Sequence, residues 1–189
     1  FVVGSTGFQA LGLDVGAQTG GGLVLSFLRP VSNAQPDKPG KPVSTIEADS
    51  LPIYLVGDQA ENIAIYEHLF TNAVRATLRY LDARGDPVFI RMDPDFLEQI
   101  GFADSEAMFP EDVRVFRGFT LLREFFLFPQ KFLGFRLKGL RKLLTLVKSA
   151  AFDILIEMDS VRPSLPPRVA AQHFRLNAAP AINLFEENC

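Results

Sequence analysis

The carboxylate of Glu124 is the side chain whose surroundings most demand an explanation, because it stands in the run Leu121-Leu122-Arg123-Glu124-Phe125-Phe126-Leu127-Phe128, which is otherwise almost wholly apolar. If buried, such a group must be paired or hydrogen-bonded, since an isolated charge in an apolar setting is too costly to keep ionised. Arg117, Arg123 and Lys131 are the cations near enough in sequence to serve. No second acid-base group can be named beside it, so a structural ion pair is favoured over a catalytic role. His68 and His173 have no Cys, Asp or Glu at zinc-ligand spacing around them. The serines form no Gly-x-Ser-x-Gly elbow. Asp58 and Glu61, three residues apart ahead of an apolar run, read as a helix cap rather than an acid-base pair. Gly20-Gly21-Gly22 lacks the Gly-Lys-Ser/Thr and the following helix of a phosphate loop, so it reads as a turn. These residues predict no catalytic site, no cofactor and no metal.

A different chemistry is suggested between residues 125 and 152, which contain no Asp or Glu but do contain Lys131, Arg136, Lys138, Arg141, Lys142 and Lys148. Aromatic residues interleave with the first of these cations, as on a nucleic-acid surface. The plainer account is that strand and helix alternate their faces, leaving the cations in solvent or against an acidic partner. A formal net charge of −3 argues against a protein that coats nucleic acid, which is therefore an unfavoured partner. A nucleic-acid-binding module built on residues 131–148, or a domain for a small molecule or carbohydrate, remain the alternative readings. The single Cys, Cys189, is the last residue, so no internal disulfide can form. The longest apolar run, residues 140–158, is interrupted by five charges and predicts no membrane insertion. The chain begins at Phe1, with no basic region or signal-type apolar run, and reads as an internal portion of a longer polypeptide.

The element that must position Glu124 is a helix over residues 117–128. Phe119, Leu122 and Phe126 form one stripe at helical spacing, and Leu121, Phe125 and Phe128 form another beside it. Two stripes make most of the surface apolar, which predicts a helix buried on most sides with Phe126 in the core. Pro129 removes a backbone donor and biases Phe128 out of the helical region, so the helix stops there and residues 132–137 follow as a strand. Upstream, strand-like runs at 8–15 and 23–28 separated by glycines predict a β-hairpin. Residues 33–42, rich in Pro, Lys, Gly and Asp, read as a mobile surface loop.

Residues 51–56 read as a strand, and Asp58 caps a helix. Ile63, Tyr66, Leu69, Phe70, Val74, Thr77, Leu78 and Leu81 carry helical spacing from 59 to 83, until Gly85 stops it. A strand is predicted at 87–92, short helices near 96–100 and 105–109, and a strand at 152–158, while 140–150 is ambiguous between the two. The prolines of 162–167 break the path before a short turn or helix at 167–172 and a final extended run from 174. Together these give a mixed α+β fold over residues 1–189, in one or two sub-domains. Its strands are mostly antiparallel, with one long amphipathic helix and one buried aromatic helix.

The pattern Leu-Leu-x-Glu-Phe-Phe-x-Phe-Pro-x-Lys-Phe-Leu-x-Phe-x-Leu-x-Gly-Leu, from Leu121 to Leu140, resembles the hallmark segment of the TssF family of type VI secretion baseplate subunits. Phe174-Arg175-Leu176-Asn177-Ala178-Ala179-Pro180-Ala181-Ile182-Asn183-Leu184-Phe185 resembles a second family stretch, and residues 51–69 a weaker third. Phe125 stands where the family pattern has Tyr, and Ala178 where it has Cys. The resemblance implies the middle portion of a structural, non-enzymatic subunit. It would join TssG in a baseplate wedge with TssK and TssE around a VgrG-type spike, in the cytoplasm and docked at the inner membrane complex. It also marks Glu124, Phe125, Phe126, Pro129, Lys131 and Phe132 as a structural motif. Asn177, Pro180, Asn183, Leu184 and Phe185 are candidate partner-binding residues, because Pro180 excludes a central strand while the asparagines can bond neighbouring backbone groups and fix an extended path.

Overall fold

The apolar residues of the strands are gathered by two antiparallel sheets in the computed structural model, which describes residues 2–30, 41–109, 116–159 and 169–183. The larger sheet has the order β1 (Val2–Gly4), β2 (Gly21–Leu28), β8 (Ala151–Met158), β4 (Ala73–Leu81), β5 (Pro87–Arg91). The smaller has the order β6 (Leu97–Gln99), β7 (Gly134–Leu137), β3 (Leu51–Leu55), β9 (Phe174–Arg175). Four α-helices accompany them among the described residues: α1 (Ser5–Ala10), α2 (Gln59–Asn72), α3 (Arg117–Leu127) and α4 (Leu140–Leu144). The mixed α+β expectation and the antiparallel pairing both hold.

β8 lies in the middle of the larger sheet and is covered on both faces, which is why it reads as a nearly continuous apolar run. Ile154 and Ile156 point into the main core, opposite Leu25 and Leu23 of β2. That core also takes in Ile53 and Leu55 of β3, Phe135 and Leu137 of β7, and Ile65 and Leu69 of α2, so both sheets share it. On the other face Leu155 packs with Phe8, Leu13 and Val24. That face also carries two cross-strand ion pairs, Arg75 with Glu157 and Arg79 with Asp153, each joining residues directly opposite in the β4–β8 register.

Several expectations are corrected. Residues 59–83 are not one helix: α2 ends at Asn72, and Ala73, at φ −69°, ψ 120°, opens the nine residues of β4. The apolar residues of 73–81 satisfy both periodicities, with Ala76 and Leu78 alternating inward as a strand requires. The break is pinned where Asn72 Nδ2 donates to Asp159 Oδ1 and the Asp159 amide donates to the Asn72 carbonyl, fastening the helix end to the end of β8. Residues 8–15 hold the second half of α1 and a turn rather than a strand, and the strand that pairs with β2 is β1. Phe8 of α1 lies fully buried over Gly22, where a Cβ would stand 2.0 Å from the Ile156 carbonyl oxygen and 2.8 Å from the Phe8 ring. The glycine cluster expected as a turn thus serves close packing in β2, and the turn lies just before it, at residues 17–18.

The helix expected near 96–100 is the short strand β6, which pairs Leu97 with Leu137. The one near 105–109 is a single 3-10 turn, Asp104–Glu106. Of residues 140–150, Leu140–Leu144 form α4, entered through Gly139 in the left-handed region, and the rest are turns, bends and irregular chain; the turn before β9 is a 3-10 helix at Ala171–His173. Of the loop expected at 33–42, only residues 41 and 42 lie among those described. The strands expected at 51–56, 87–92 and 152–158 are present as β3, β5 and β8. No helix among the described residues is long and apolar enough to cross a membrane.

Candidate protein-interaction face

α3 ends where the sequence says it must. Phe128 leaves the helical region at φ −148°, ψ 70°, and Pro129 opens a 3-10 turn, Pro129–Phe132, that leads directly into β7. The Phe128 amide still donates to the Glu124 carbonyl at 2.8 Å and closes the last turn. This fold-back places Lys131 beneath the helix. The side chains of Glu124 and Lys131 are each 1% exposed, and the Lys131 ammonium donates to Glu124 Oε2. Glu124 Oε1 accepts from the backbone amides of Met108 at 2.6 Å and Phe109 at 3.0 Å.

Burial pushes the Glu124 carboxyl upward, but the Lys131 hydrogen bond and the two amides more than offset it and hold the group below the usual carboxylate range. Of the three cations that could have paired with it, Lys131 does so, and Arg123 instead lies over the Phe109 ring, 4.1 Å from its centroid. Glu124 thus has the cationic partner that its burial demands.

The shelf that carries those two amides is itself held by charge. Gly101, at φ +100°, packs so close to the Lys131 carbonyl that a Cβ would stand 3.0 Å from it. Its amide donates to Glu106 Oε2 at 2.7 Å. Arg136 of β7 bridges Glu106 at 2.8 Å and Glu98 at 2.6 Å. Burial raises the Glu106 carboxyl, and Arg136 with the Gly101 and Ala103 amides brings it net downward. Sequence reasoning missed Glu98, Glu106 and Arg136 as a group, because their partners come from separate strands and turns and no local spacing announces them.

The orientation of α3 reverses the expectation that it is a buried helix. Its Glu124 side faces the domain and its apolar side faces out. Phe126, expected in the core, is 79% exposed, Phe119 is 62% and Leu122 is 53%. Leu121, Phe125 and Leu127 are exposed as well, although Phe125 also touches the buried Phe132 at a ring separation of 5.7 Å. Periodicity fixes which side chains share a face, but not which face turns inward. Here a carboxylate with three donors waiting for it outweighs the apolar stripes, since turning Glu124 outward would leave Lys131 buried and unpaired.

The other sequence candidates fall into structural roles. His68 Nδ1 lies 2.9 Å from Asn72 Oδ1 in the interior. His173 Nδ1 accepts from the Ala170 amide at 3.0 Å, and its Nε2 lies 3.4 Å from Glu61 of α2. Asp58 Oδ1 accepts from the Ala60 and Glu61 amides at 2.9 and 3.1 Å and caps α2 as expected. In the basic stretch, Lys131, Arg136 and Lys138 are engaged by Glu124, Glu98 with Glu106, and Asp95 respectively, while Arg141, Lys142 and Lys148 are exposed. Half of the cations that a nucleic-acid surface would need are thereby neutralised within the fold.

Toward the end of the described chain, Phe174 pairs with Leu55 and meets Phe135 edge to face at 6.4 Å. Asn177 then takes a left-handed φ of 54°, a conformation Asn tolerates, in the bend that follows β9. Asn177 and Asn183 are exposed and Pro180 is half-buried, while Leu184 and Phe185 lie outside the described residues.

Three comparisons bear on this arrangement. Residues 31–189 match the family model "Type VI secretion system, TssF", a span that contains α3, its shelf and the terminal stretch. The chain is 30% identical over 150 residues to the type VI secretion system component TssF1 of Pseudomonas aeruginosa, covering 79% of this chain and 24% of that protein. It therefore spans about a quarter of the length of the curated relative it matches. A chain of the type VI secretion system TssK-TssF-TssG baseplate subcomplex, solved by cryo-electron microscopy, has the same fold. It matches at a TM-score of 0.62 and 21% identity, over 86% of this chain and 31% of its own length. The hallmark pattern around Glu124 and the family match over most of its length agree, and the chain belongs to the TssF family of the type VI secretion system.

Proposed function

We propose that the chain is a structural part of the type VI secretion baseplate and acts by assembly rather than by catalysis. The observation that carries this reading is the match of residues 31–189 to the TssF family, and the aromatic helix held on a charge-locked shelf with its apolar side outward adds to it. Such a face has no use in water and is suited to being covered by protein. The buried ionisable side chains support the same reading: Glu124 and Glu157 are occupied by Lys131 and Arg75, which leaves neither as an acid or base for a substrate. The proposed partners are TssG and TssK, the proteins named beside TssF in the structurally similar subcomplex, with TssE and a VgrG-type spike in the same wedge. Its place would be cytoplasmic, docked at the inner membrane complex.

Asn177, Pro180, Asn183, Leu184 and Phe185 are proposed as a contact for a partner subunit. The test is co-expression of the intact polypeptide with TssG and TssK, followed by affinity purification. A complex containing all three is the expected result, and its absence at normal expression of each would refute the reading. In the same assay, Leu184→Ala with Phe185→Ala should weaken recovery of TssG while the circular dichroism spectrum is unchanged. Undiminished recovery would remove the terminal contact from the proposal.

A further inference from the structure

The apolar side chains of α3 occupy much more than one stripe. With about 3.6 residues per turn, Phe119, Leu121, Leu122, Phe125, Phe126 and Leu127 spread over roughly two-thirds of the circumference. All six are exposed, and the remaining side is the one that seats Glu124 on the domain. A helix that is apolar on most sides is stable only when it is buried on most sides. One flat helix or sheet covers an arc of about 100°, so whatever covers α3 is concave. The arc carries one exposed charge, Arg123, among its six apolar side chains, and so apolar a face also decides the kind of contact. Transient interfaces are no more apolar than the rest of a protein surface, whereas permanent ones resemble a domain core cut in half.

A permanent cover can come from a separate subunit or from the same polypeptide. TssF1 carries the matched region within 24% of its length, and the structurally similar chain within 31% of its own, so both relatives have most of their residues outside it. A cover on the same polypeptide acts at an effective concentration on the order of millimolar, well above that of a free subunit. It also closes during folding, before an exposed aromatic face can aggregate. We propose that the outward face of α3 is covered within the intact polypeptide, by an apolar cleft contributed by residues outside 1–189, before any other baseplate subunit binds. The helix is then the joint between this domain and the rest of the subunit, with Glu124 and Lys131 setting its angle.

The experiment is thiol reactivity in the intact polypeptide purified without other subunits, in a background in which Cys189 and every other native cysteine is replaced by Ser. Phe126→Cys should react with a maleimide at least about ten-fold more slowly than Arg84→Cys, which lies at an exposed turn position, because the covered thiol reacts only on opening. Hydrogen exchange on the unsubstituted protein gives a second reading that no cavity at Phe126 can disturb. Amides of residues 120–127 should exchange as slowly as those of α2. Equal reactivity of the two thiols, or exchange across α3 as fast as in the 82–86 turn, would overturn the proposal, including the case in which TssG alone brings protection. Failure to recover a complex with TssG and TssK while Phe126→Cys stays protected would count against the baseplate reading and leave the covered joint standing.

Discussion

Replacing Lys131 with Met removes the charge that locks α3 while keeping most of the side chain's volume. In the folded chain the ammonium sits on Glu124 Oε2 with both side chains 1% exposed, so no water can take its place without opening the shelf. Removing one partner of such a pair costs about 3–5 kcal/mol, most of it the penalty of leaving the other charge buried. The amides of Met108 and Phe109 still hold Oε1 at 2.6 and 3.0 Å, which argues for the lower end, about 3 kcal/mol, or a fall in Tm of roughly 6–12 °C for a chain of this size. Urea denaturation at neutral pH measures it.

Acidification supplies an internal control. In the parent chain the folded Glu124 carboxyl lies below its ordinary value of 4.5, so its stabilisation is complete above that value and is lost as pH falls through the lower, folded one. In Lys131→Met burial acts without the cation and the carboxyl titrates higher, so protonation relieves the variant first. The difference between the two proteins should therefore shrink as pH falls toward about 4. A cost at neutral pH below about 1 kcal/mol, the range of exposed ion pairs, or a cost that does not change with pH, would refute the lock.

In the 189-residue chain Phe126→Ala should change unfolding free energy by less than about 0.5 kcal/mol, whereas Phe135→Ala, from a fully buried ring, should cost about 3–5 kcal/mol. Equal effects in urea titration would show that Phe126 packs in the core after all. Gly22→Ala should destabilise by about 1–3 kcal/mol or more by thermal melting, since the added Cβ has no room between the Ile156 carbonyl and the Phe8 ring. Asp58→Ala should cost about 1 kcal/mol through loss of the cap on α2, read by the same melts. Burial raises the Glu157 carboxyl, and Arg75, Thr19 and the Gly16 amide bring it net below 4.5, so its contribution is present above that value and lost on acidification. Glu157→Gln should accordingly lower stability at neutral pH and flatten its decline below about pH 4.5, and a slope identical to the parent's would refute this.

Much of the local structure is legible without coordinates, because it follows from interactions between residues close in the chain. Pro129 ends α3, Asp58 begins α2, and the composition of residues 152–158 yields the central strand. The need of Glu124 for a cation, and Lys131 as one of three choices, also follow from sequence. The family resemblance rests on the same local patterns.

What the sequence leaves open are the points at which two arrangements satisfy the local rules equally. Residues 73–81 fit a helix and a strand alike, and pairing along both edges with β8 and β5 selects the strand. The shelf of Glu98, Glu106 and Arg136 exists only once β6, β7 and a turn have met. For α3, hydrophobic spacing describes the faces of an isolated helix, and burial is a property of what those faces meet. The fold-back at Pro129 brings Lys131 under Glu124, the Met108 and Phe109 amides complete the carboxylate's shell, and a paired charge that can be satisfied on only one side turns the apolar side of the helix outward.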